Sequence, residues 1–210
     1  AGVAHELRNS LATLRGYLTL IERRPQEESI NDFLSEVRRE SDHLQRVLED
    51  FLAFARPETT RIEAVNLAQV VRRAAADPAL EGTVVNLEIE DTPLHTLQGD
   101  SQLLERAIRN LLHNAVEAQS GIGVEEPVRT RLSKDQSRVE LVIEDRGPGL
   151  PVHVRERLFQ PFVTGRPEGV GLGLSLTHRI VTLHGGTVDL EDRTDGGTRV
   201  TLSFPVGVFE

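Results

Sequence analysis

The chain has 210 residues, a formal net charge of -9 at pH 7 and no cysteine. Its length allows one large domain or two small ones, and its 38% hydrophobic content suffices for a core. The acidic balance and the lack of a Lys/Arg run argue against a nucleic-acid-binding surface. The missing cysteines exclude disulfides, zinc thiolate sites and thiol catalysis, and they are consistent with a reducing compartment.

The hydropathy and the first residues of the chain suggest its setting. No apolar run approaches the ~20 residues of a membrane span, and no segment has the features of a signal peptide. The chain contains no methionine and begins at Ala1, so we expect a fragment of a longer protein. For this fragment we expect a cytoplasmic location and no membrane contact.

The first part of the chain predicts two amphipathic helices. Apolar residues in 7–21 are spaced alternately four and three apart, which is the seam of a helix in a bundle, and Pro25 should follow its end. The same spacing recurs in residues 30–51, interrupted by Ser41. One such hairpin cannot cover its own apolar face, so we expect a homodimer that forms a four-helix bundle. The alternative is a hairpin packed against the rest of its own chain.

His5 lies beside the first seam, with Glu6 next to it and Asn9 one helical turn later. This position makes the imidazole accessible from solvent. A zinc protease helix would need a second histidine where Asn9 stands, so that metal site is excluded. Most histidines on amphipathic helices are ordinary surface residues, so a role for His5 depends on the rest of the chain.

The pattern of the chain changes after Pro57. We interpret residues 58–61 as a linker between a helical hairpin at 1–57 and an α+β domain at 62–210. The second domain is predicted to be a sandwich, a mixed sheet with helices on one face. Its helices are predicted near 67–76, from 100 or 101 to 119, and from 173 to about 184; its strands near 84–90, 128–132, 138–144, 187–191 and 198–204.

The longest helix of this domain has a polar stripe beside its apolar face. Arg106, Asn110, Asn114 and Glu117 follow one another at intervals of four, four and three residues. Amide oxygens are ligands that Mg²⁺ accepts when phosphates supply the negative charge. Asparagine is a poor helix former, so two asparagines on one helical face suggest a function. The alternative is that this face is merely exposed to solvent.

A carboxylate and two glycines follow the strand predicted at 138–144. Asp145 can accept the exocyclic amine of adenine, and Gly147 and Gly149 allow a base to approach the backbone closely. An ordinary acidic turn is the alternative interpretation of this segment.

The segment Gly169-Val170-Gly171-Leu172-Gly173-Leu174-Ser175 opens the helix that follows. Glycines before a helix N-terminus expose backbone N–H groups to an anion, which suits a phosphate. The segment is not a dinucleotide fingerprint, which would need glycine at Leu174, and it is not a P-loop, which needs Gly-Lys-Ser/Thr.

In this order, the segments resemble the transmitter core of a bacterial sensor histidine kinase, over nearly all of the chain. Five such boxes in order with compatible spacing make a specific signature. His5-Glu6-Leu7-Arg8-Asn9 resembles the H box, Arg109-Asn110-Leu111-Leu112-His113-Asn114-Ala115 the N box, Asp145-Arg146-Gly147-Pro148-Gly149 the G1 box, Leu158-Phe159-Gln160-Pro161-Phe162 the F box, Gly169-Val170-Gly171-Leu172-Gly173-Leu174 the G2 box, and Gly196-Gly197-Thr198 the last glycine turn.

The resemblance implies a dimerisation and phosphoacceptor hairpin followed by an ATP-binding domain of the Bergerat fold. It implies that His5 is phosphorylated from ATP and that Glu6 assists its deprotonation. Asn9 matches the position that family members use to orient water when they dephosphorylate their partner. That partner would be the receiver domain of a response regulator, which accepts the phosphoryl group on an aspartate.

By the same resemblance, Asn110 and Asn114 would hold Mg²⁺ and Asp145 would hold the adenine of ATP. Only six residues separate Phe162 from Gly169, so the lid over ATP is short, as in nitrogen-regulation-type kinases. The other residues that the resemblance assigns to the nucleotide are Gly147, Gly149, Glu117, Arg166, Gly169, Gly171, Gly173, Leu174 and Thr198.

The charges of two residues affect how the predicted site would bind phosphate. Many relatives have a lysine where this chain has Glu117, although the short-lid subgroup often has glutamate. The basic residue expected in the lid is Arg166, whose guanidinium can bind phosphate in a fork.

Three other functions remain open from the sequence. An ATPase of the gyrase or chaperone class would have the same nucleotide boxes but would leave the His5 hairpin unexplained. An adaptor could keep the fold without transferring phosphate. A phosphatase-biased member of the family would depend on Asn9.

Overall fold

A computed structural model of the protein describes residues 2–23, 27–55, 60–80, 85–89, 95–135, 137–165 and 171–206. The chain forms two compact units. The first comprises residues 1–58 and 162–172, and the second comprises residues 59–161 and 173–210. Within the described ranges, no helix is both long enough and apolar enough to cross a membrane.

The first unit contains two helices, α1 (Gly2–Arg23) and α2 (Glu27–Ala55), which pack against each other. The rings of Tyr17 and Phe33 meet between them, with their centroids 6.2 Å apart. The predicted helices are therefore confirmed. Pro25, which we expected after the first helix, lies outside the described residues.

The apolar seam of the hairpin is only partly covered. Leu14 and Val37 are half-buried, whereas other seam leucines are largely in solvent. Leu11, Leu18 and Leu48 are 55%, 49% and 45% exposed. Two helices bury the part of each stripe that faces the neighbouring helix and leave the rest uncovered.

The second unit follows the predicted α+β pattern. Its helices and strands agree with the prediction to within a few residues, and the ends of the strand predicted at 84–90 lie outside the described residues. In chain order the elements are β1 (Glu63–Asn66), α3 (Leu67–Ala75), β2 (Val85–Ile89), β3 (Thr96–Gly99), α4 (Ser101–Ser120), β4 (Val128–Lys134), β5 (Arg138–Glu144), α5 (Val152–Arg155), α6 (Gly173–Leu183), β6 (Thr187–Asp192) and β7 (Thr198–Pro205).

Five strands form one mixed sheet in the order β2-β4-β5-β7-β6. The β2 and β4 strands are parallel, and the other neighbours are antiparallel. A separate antiparallel pair, β1 with β3, was not predicted. Each of its strands has only four residues, which is too short for an alternating pattern to be recognised. The predicted mixed sheet is confirmed.

The strands alternate between the core and solvent. On β4, Val128, Thr130 and Leu132 are buried, while the residues between them are exposed. The inner face packs with α3 and α4, and the outer face has charged pairs such as Arg199 with Glu144, whose Nε and Oε1 lie 2.7 Å apart. This arrangement gives the sheet helices on one face, as predicted.

The start of α4 is fixed by a buried network. Asp100, its N-cap, accepts N–H donors of the first turn and also the N–H of Arg61 at 2.9 Å. The backbone N–H of Asp100 donates to Nε2 of His184 at 2.8 Å, and Nδ1 of His184 lies 2.7 Å from the carbonyl oxygen of Ile180. The end of α6 is therefore tied to the start of α4.

Candidate functional site

The two asparagines of the predicted polar stripe lie one turn apart on α4, and both are half-buried. The amide of Asn110 rests against the first turns of α6. Its Nδ2 donates to Oγ1 of Thr177 at 2.9 Å, and a Cβ added at Gly173 would overlap with its Oδ1. No described residue donates to that Oδ1. Glu117 lies farther along α4 and is exposed.

Asp145 lies directly after β5 and is only 6% exposed. One carboxylate oxygen, Oδ1, accepts the backbone N–H of Gly147 at 2.8 Å and that of Thr198 at 3.1 Å. Burial raises the pKa of Asp145 above its ordinary value, and the two N–H donors offset part of that effect. The side chains of Arg193 and Thr198 also favour the charged form. Both backbone donors meet Oδ1, so neither of them occupies Oδ2.

The backbone around Asp145 is held from the β6–β7 hairpin. Its N–H donates to the carbonyl of Thr198 at 3.0 Å, and its carbonyl accepts from Nη1 of Arg193 at 3.2 Å. Gly197 has φ of 96° and lies so close that a Cβ there would collide with the Asp145 carbonyl. The β6–β7 hairpin therefore fixes both the N–H and the carbonyl group of Asp145.

The same turn is also held by the end of α4. A Cβ at Gly147 would lie 2.7 Å from Cβ of Ala118, which is one turn beyond Asn114. Gln119 is buried, and its Oε1 accepts the N–H of Arg146 at 2.9 Å. The helix that carries Asn110 and Asn114 therefore also contacts the turn that follows Asp145.

Three residues in these contacts were not found from the sequence. They are Gln119, Thr177 and Arg193. The sequence pattern could have indicated that Gln119 is buried, because it lies one turn after Ala115 on the apolar face of α4. Thr177 and Arg193 had none, since each acts on a residue at least 48 positions away.

The glycine segment before α6 is described only in part. Arg166 and Gly169 lie outside the described residues. Gly171, with φ of 71°, accepts from the N–H of Phe162 through its carbonyl at 2.9 Å. Phe162 itself has φ of 67°, the one positive value for a non-glycine residue in the described parts of the chain.

The remaining predicted residues lie in the turn after β5, at the start of α6 and on α1. Gly149 has φ of 77°, and Leu174 is half-buried in the first turn of α6. On α1, Asn9 is exposed. His5 and Glu6 lie in the first turns of α1, where only the backbone is described.

The donor set fits the groups predicted from the sequence. A buried carboxylate whose Oδ2 has no backbone donor suits the exocyclic amine of adenine, and two amide oxygens suit Mg²⁺ if phosphate provides the charge. Among the described residues, no group of three histidines or acids could hold a metal ion.

Comparison with known families matches most of the chain. Residues 99–208 match the family described as "Histidine kinase-, DNA gyrase B-, and HSP90-like ATPase", and residues 1–60 match "His Kinase A (phospho-acceptor) domain". The signal transduction histidine-protein kinase AtoS of Escherichia coli is 31% identical over 209 residues, which are 98% of this chain and 34% of AtoS. The sensory histidine kinase/phosphatase NtrB of Salmonella typhimurium is 28% identical over 98% of this chain and 61% of its own length. The chain thus spans about a third of AtoS.

Solved structures agree in fold. The histidine kinase AdeS of Acinetobacter baumannii has a TM-score of 0.70 and 22% identity, covering 96% of this chain and 97% of that one. Histidine kinase ThkA, solved in complex with response regulator protein TrrA, has a TM-score of 0.69 and 22% identity, covering 97% and 59%. A mycobacterial sensor histidine kinase, MprB, is 30% identical with a TM-score of 0.56, covering 69% and 97%.

We predict that Asp145→Asn abolishes most adenine nucleotide binding while the fold survives. In the variant, the amide oxygen would take the place of Oδ1, because the N–H groups of Gly147 and Thr198 need an acceptor there. The amide NH₂ would then take the place of Oδ2 and face the amine of adenine, which is also a donor. Affinity for ADP should fall tenfold or more, roughly the value of a hydrogen bond to a charged group. Titration with a fluorescent ADP analogue measures the affinity. Asp189→Asn, at an exposed position on β6, is the matched control. Equal affinities of the two variants would refute the assignment of Asp145.

We also predict that adenosine binding weakens as the pH falls. The carboxylate form of Asp145 accepts the amine, and its pKa is raised, so the acceptor is lost at a pH above the ordinary value of 3.8. Adenosine has no phosphate to titrate, and its dissociation constant can be followed by NMR against pH. The comparison with Asp145→Asn separates protonation of this carboxyl from protonation of the adenine base. In Asp145→Asn the residual binding should lack this pH dependence. An affinity that stays constant down to pH 3.8 would contradict the prediction.

Proposed function

The chain belongs to the family of histidine kinase-, DNA gyrase B- and HSP90-like ATPases and has the phospho-acceptor domain of histidine kinases, and from this premise we propose that it phosphorylates its own His5 from ATP. The phosphoryl group would then pass to a response regulator in two-component signalling. The observation that carries the nucleotide part is the buried Asp145 carboxylate, whose two backbone donors both meet Oδ1 and leave Oδ2 without a backbone donor. We place this part of the protein in the cytoplasm.

The second unit would bind the nucleotide. Asp145 would accept the adenine amine, and the glycines around it allow the base to approach. Asn110 and Asn114 would hold Mg²⁺, which would neutralise charge on the phosphates. Glu117, exposed on the same helix, cannot pair with phosphate. By the family resemblance, the positive side chain at the phosphate end would be Arg166, which lies outside the described residues.

The chemistry at His5 would be an in-line displacement. One imidazole nitrogen attacks the γ-phosphorus, an N–P bond forms, and the bond from phosphorus to the ADP oxygen breaks, so ADP leaves. Glu6 would accept a hydrogen bond from the other ring nitrogen and so increase the nucleophilicity of the attacking one. Phosphoryl transfer depends mainly on positioning and charge neutralisation, which are the tasks of the second unit.

The proposed partner is a receiver domain. ThkA, whose fold this chain shares, was solved in complex with a response regulator. An aspartate of such a domain would take the phosphoryl group from His5. Asn9 is exposed one turn after His5 and could orient the water that dephosphorylates the receiver domain. A relative, NtrB, is named both a kinase and a phosphatase.

The proposed assembly is a homodimer. Exposed seam leucines at heptad spacing, Leu11 with Leu18 on α1 and Leu34 with Leu48 on α2, form an apolar face on the hairpin. A second hairpin with the same face would cover it and complete a four-helix bundle. The ATPase alternative without phosphohistidine is less favoured, because residues 1–60 match a phospho-acceptor domain.

We predict that His5→Gln abolishes labelling of the chain from γ-labelled ATP. Glutamine retains polarity and helix propensity but has no imidazole nitrogen to form the N–P bond. The label on the wild type should be lost in acid and stable in base, as expected for phosphohistidine. Autoradiography after each treatment measures it.

The matched control for this experiment is His43→Gln, another histidine of the hairpin, on α2. It should label like the wild type. Labelling that persists in His5→Gln would show that the acceptor lies elsewhere, whereas ATP hydrolysis without any label would support the ATPase alternative.

We predict that Leu18→Glu weakens the dimer tenfold or more. The charge would be buried in the proposed bundle without a partner, which costs well over 1.4 kcal/mol, the equivalent of about tenfold. Leu20→Glu is the matched control, because Leu20 is also exposed (41%) but lies off the seam. Sedimentation equilibrium measures both. A monomeric wild type, or equal effects of the two changes, would refute the proposed interface.

A further inference from the structure

The contact between Asn110 and α6 has a consequence for the proposed metal site. An asparagine amide has a donor end and an acceptor end of nearly the same size, and only the acceptor end can bind a cation. The hydrogen bond that the amide makes to the protein decides which end is free. In this structure Nδ2 donates to Oγ1 of Thr177 at 2.9 Å.

The surroundings hold the amide in that orientation. Thr177 is 1% exposed, and Gly173 lies one turn before it on the same face of α6. A Cβ at Gly173 would overlap Oδ1 of Asn110 and would lie 2.9 Å from both Cγ and Nδ2. The glycine therefore leaves room for the amide, and the Thr177 hydroxyl accepts a hydrogen bond from its Nδ2 end.

We propose that Thr177 is a positioning residue that orients the Asn110 amide so that Oδ1 is presented to a divalent cation bound with the nucleotide. This inference rests on the proposed function, in which Asn110 binds that cation. Residues that hold a metal ligand in place commonly change metal affinity by about ten- to a hundredfold when they are replaced. Thr177 itself touches neither metal nor nucleotide in this role.

Packing alone does not account for a threonine at this position. The neighbouring buried positions of α6 are mostly apolar, with Leu176, Ile180 and Val181. Valine has almost the same shape and is cheaper to bury than a hydroxyl that has no partner. Thr130 on β4 is a control position for the test below, because its Oγ1 is buried without a hydrogen-bond partner among the described residues.

The test compares Thr177→Val, which keeps the shape, with Thr177→Ser, which keeps the acceptor. The probe is Mn²⁺ with a non-hydrolysable ATP analogue, titrated by electron paramagnetic resonance. Thr177→Val should weaken Mn²⁺ binding about tenfold, and Thr177→Ser should remain within about twofold of the wild type. Affinity for the analogue in EDTA should be unchanged in both. Thr130→Val, the same substitution at a buried hydroxyl without a partner, should bind Mn²⁺ like the wild type.

A second readout needs no metal. In the metal-free protein, the side-chain NH₂ of Asn110 should exchange slowly with solvent, and exchange should be faster in Thr177→Val but not in Thr177→Ser. In the background of Asn110→Ala, Thr177→Val should cause no further loss of Mn²⁺ affinity, because its effect passes through the amide. If Thr177→Val does not fold, Thr177→Ala against Thr177→Ser makes the same comparison.

Two results would overturn the inference while leaving the proposed function intact. One is that Thr177→Val binds Mn²⁺ as well as Thr130→Val does. The other is that Thr177→Val and Asn110→Ala act additively. A wild type whose nucleotide affinity is unchanged by Mn²⁺ would instead remove the metal role of Asn110, and the role of Thr177 with it, while the adenine site at Asp145 is tested separately.

Discussion

The packing of α4 against α6 is the constraint on which the proposed nucleotide site depends. At the start of α4, the N–H of Asp100 donates to the ring of His184 at the end of α6. In the middle, the amide of Asn110 donates to Thr177. Near the end of α4, Gln119 accepts the N–H of the residue after Asp145. These polar contacts are specific in distance and direction, so they fix the register of α4 more closely than apolar packing alone could.

The burial of Asp145 has opposite effects on stability and on recognition. Removing a carboxylate from water favours its neutral form, and this raises its pKa. The two N–H groups that meet Oδ1 and the side chains of Arg193 and Thr198 recover part of that free energy, but neither N–H group meets Oδ2. A fully satisfied carboxylate would be more stable and would have nothing left to offer a base. A ligand N–H that donates to Oδ2 would therefore relieve part of the energetic cost of burying this carboxylate.

Much of the fold followed from the sequence, whereas the contacts that hold the site did not. Long helices and strands were predictable because their apolar periodicity is local, and the position of Asp145 after a strand was found in the same way. The β1–β3 pair was missed because four residues contain too little periodicity. Thr177 and Arg193 were missed because their roles arise only when distant segments meet. The assignments of His5, Asn110 and Asp145 to their roles stay predictions.

The hairpin shows why one spacing pattern can serve two interfaces. The four-three pattern predicted a single seam, but in the structure its members divide into half-buried residues such as Leu14 and exposed ones such as Leu18. A stripe of this width exceeds what one neighbouring helix can cover, because two helices touch along a narrow line of side chains. The uncovered part of the apolar stripe destabilises a lone hairpin, whereas a four-helix bundle would bury it. Ser41 interrupts the stripe between Leu34 and Leu48, so the uncovered surface would be weakest at its middle.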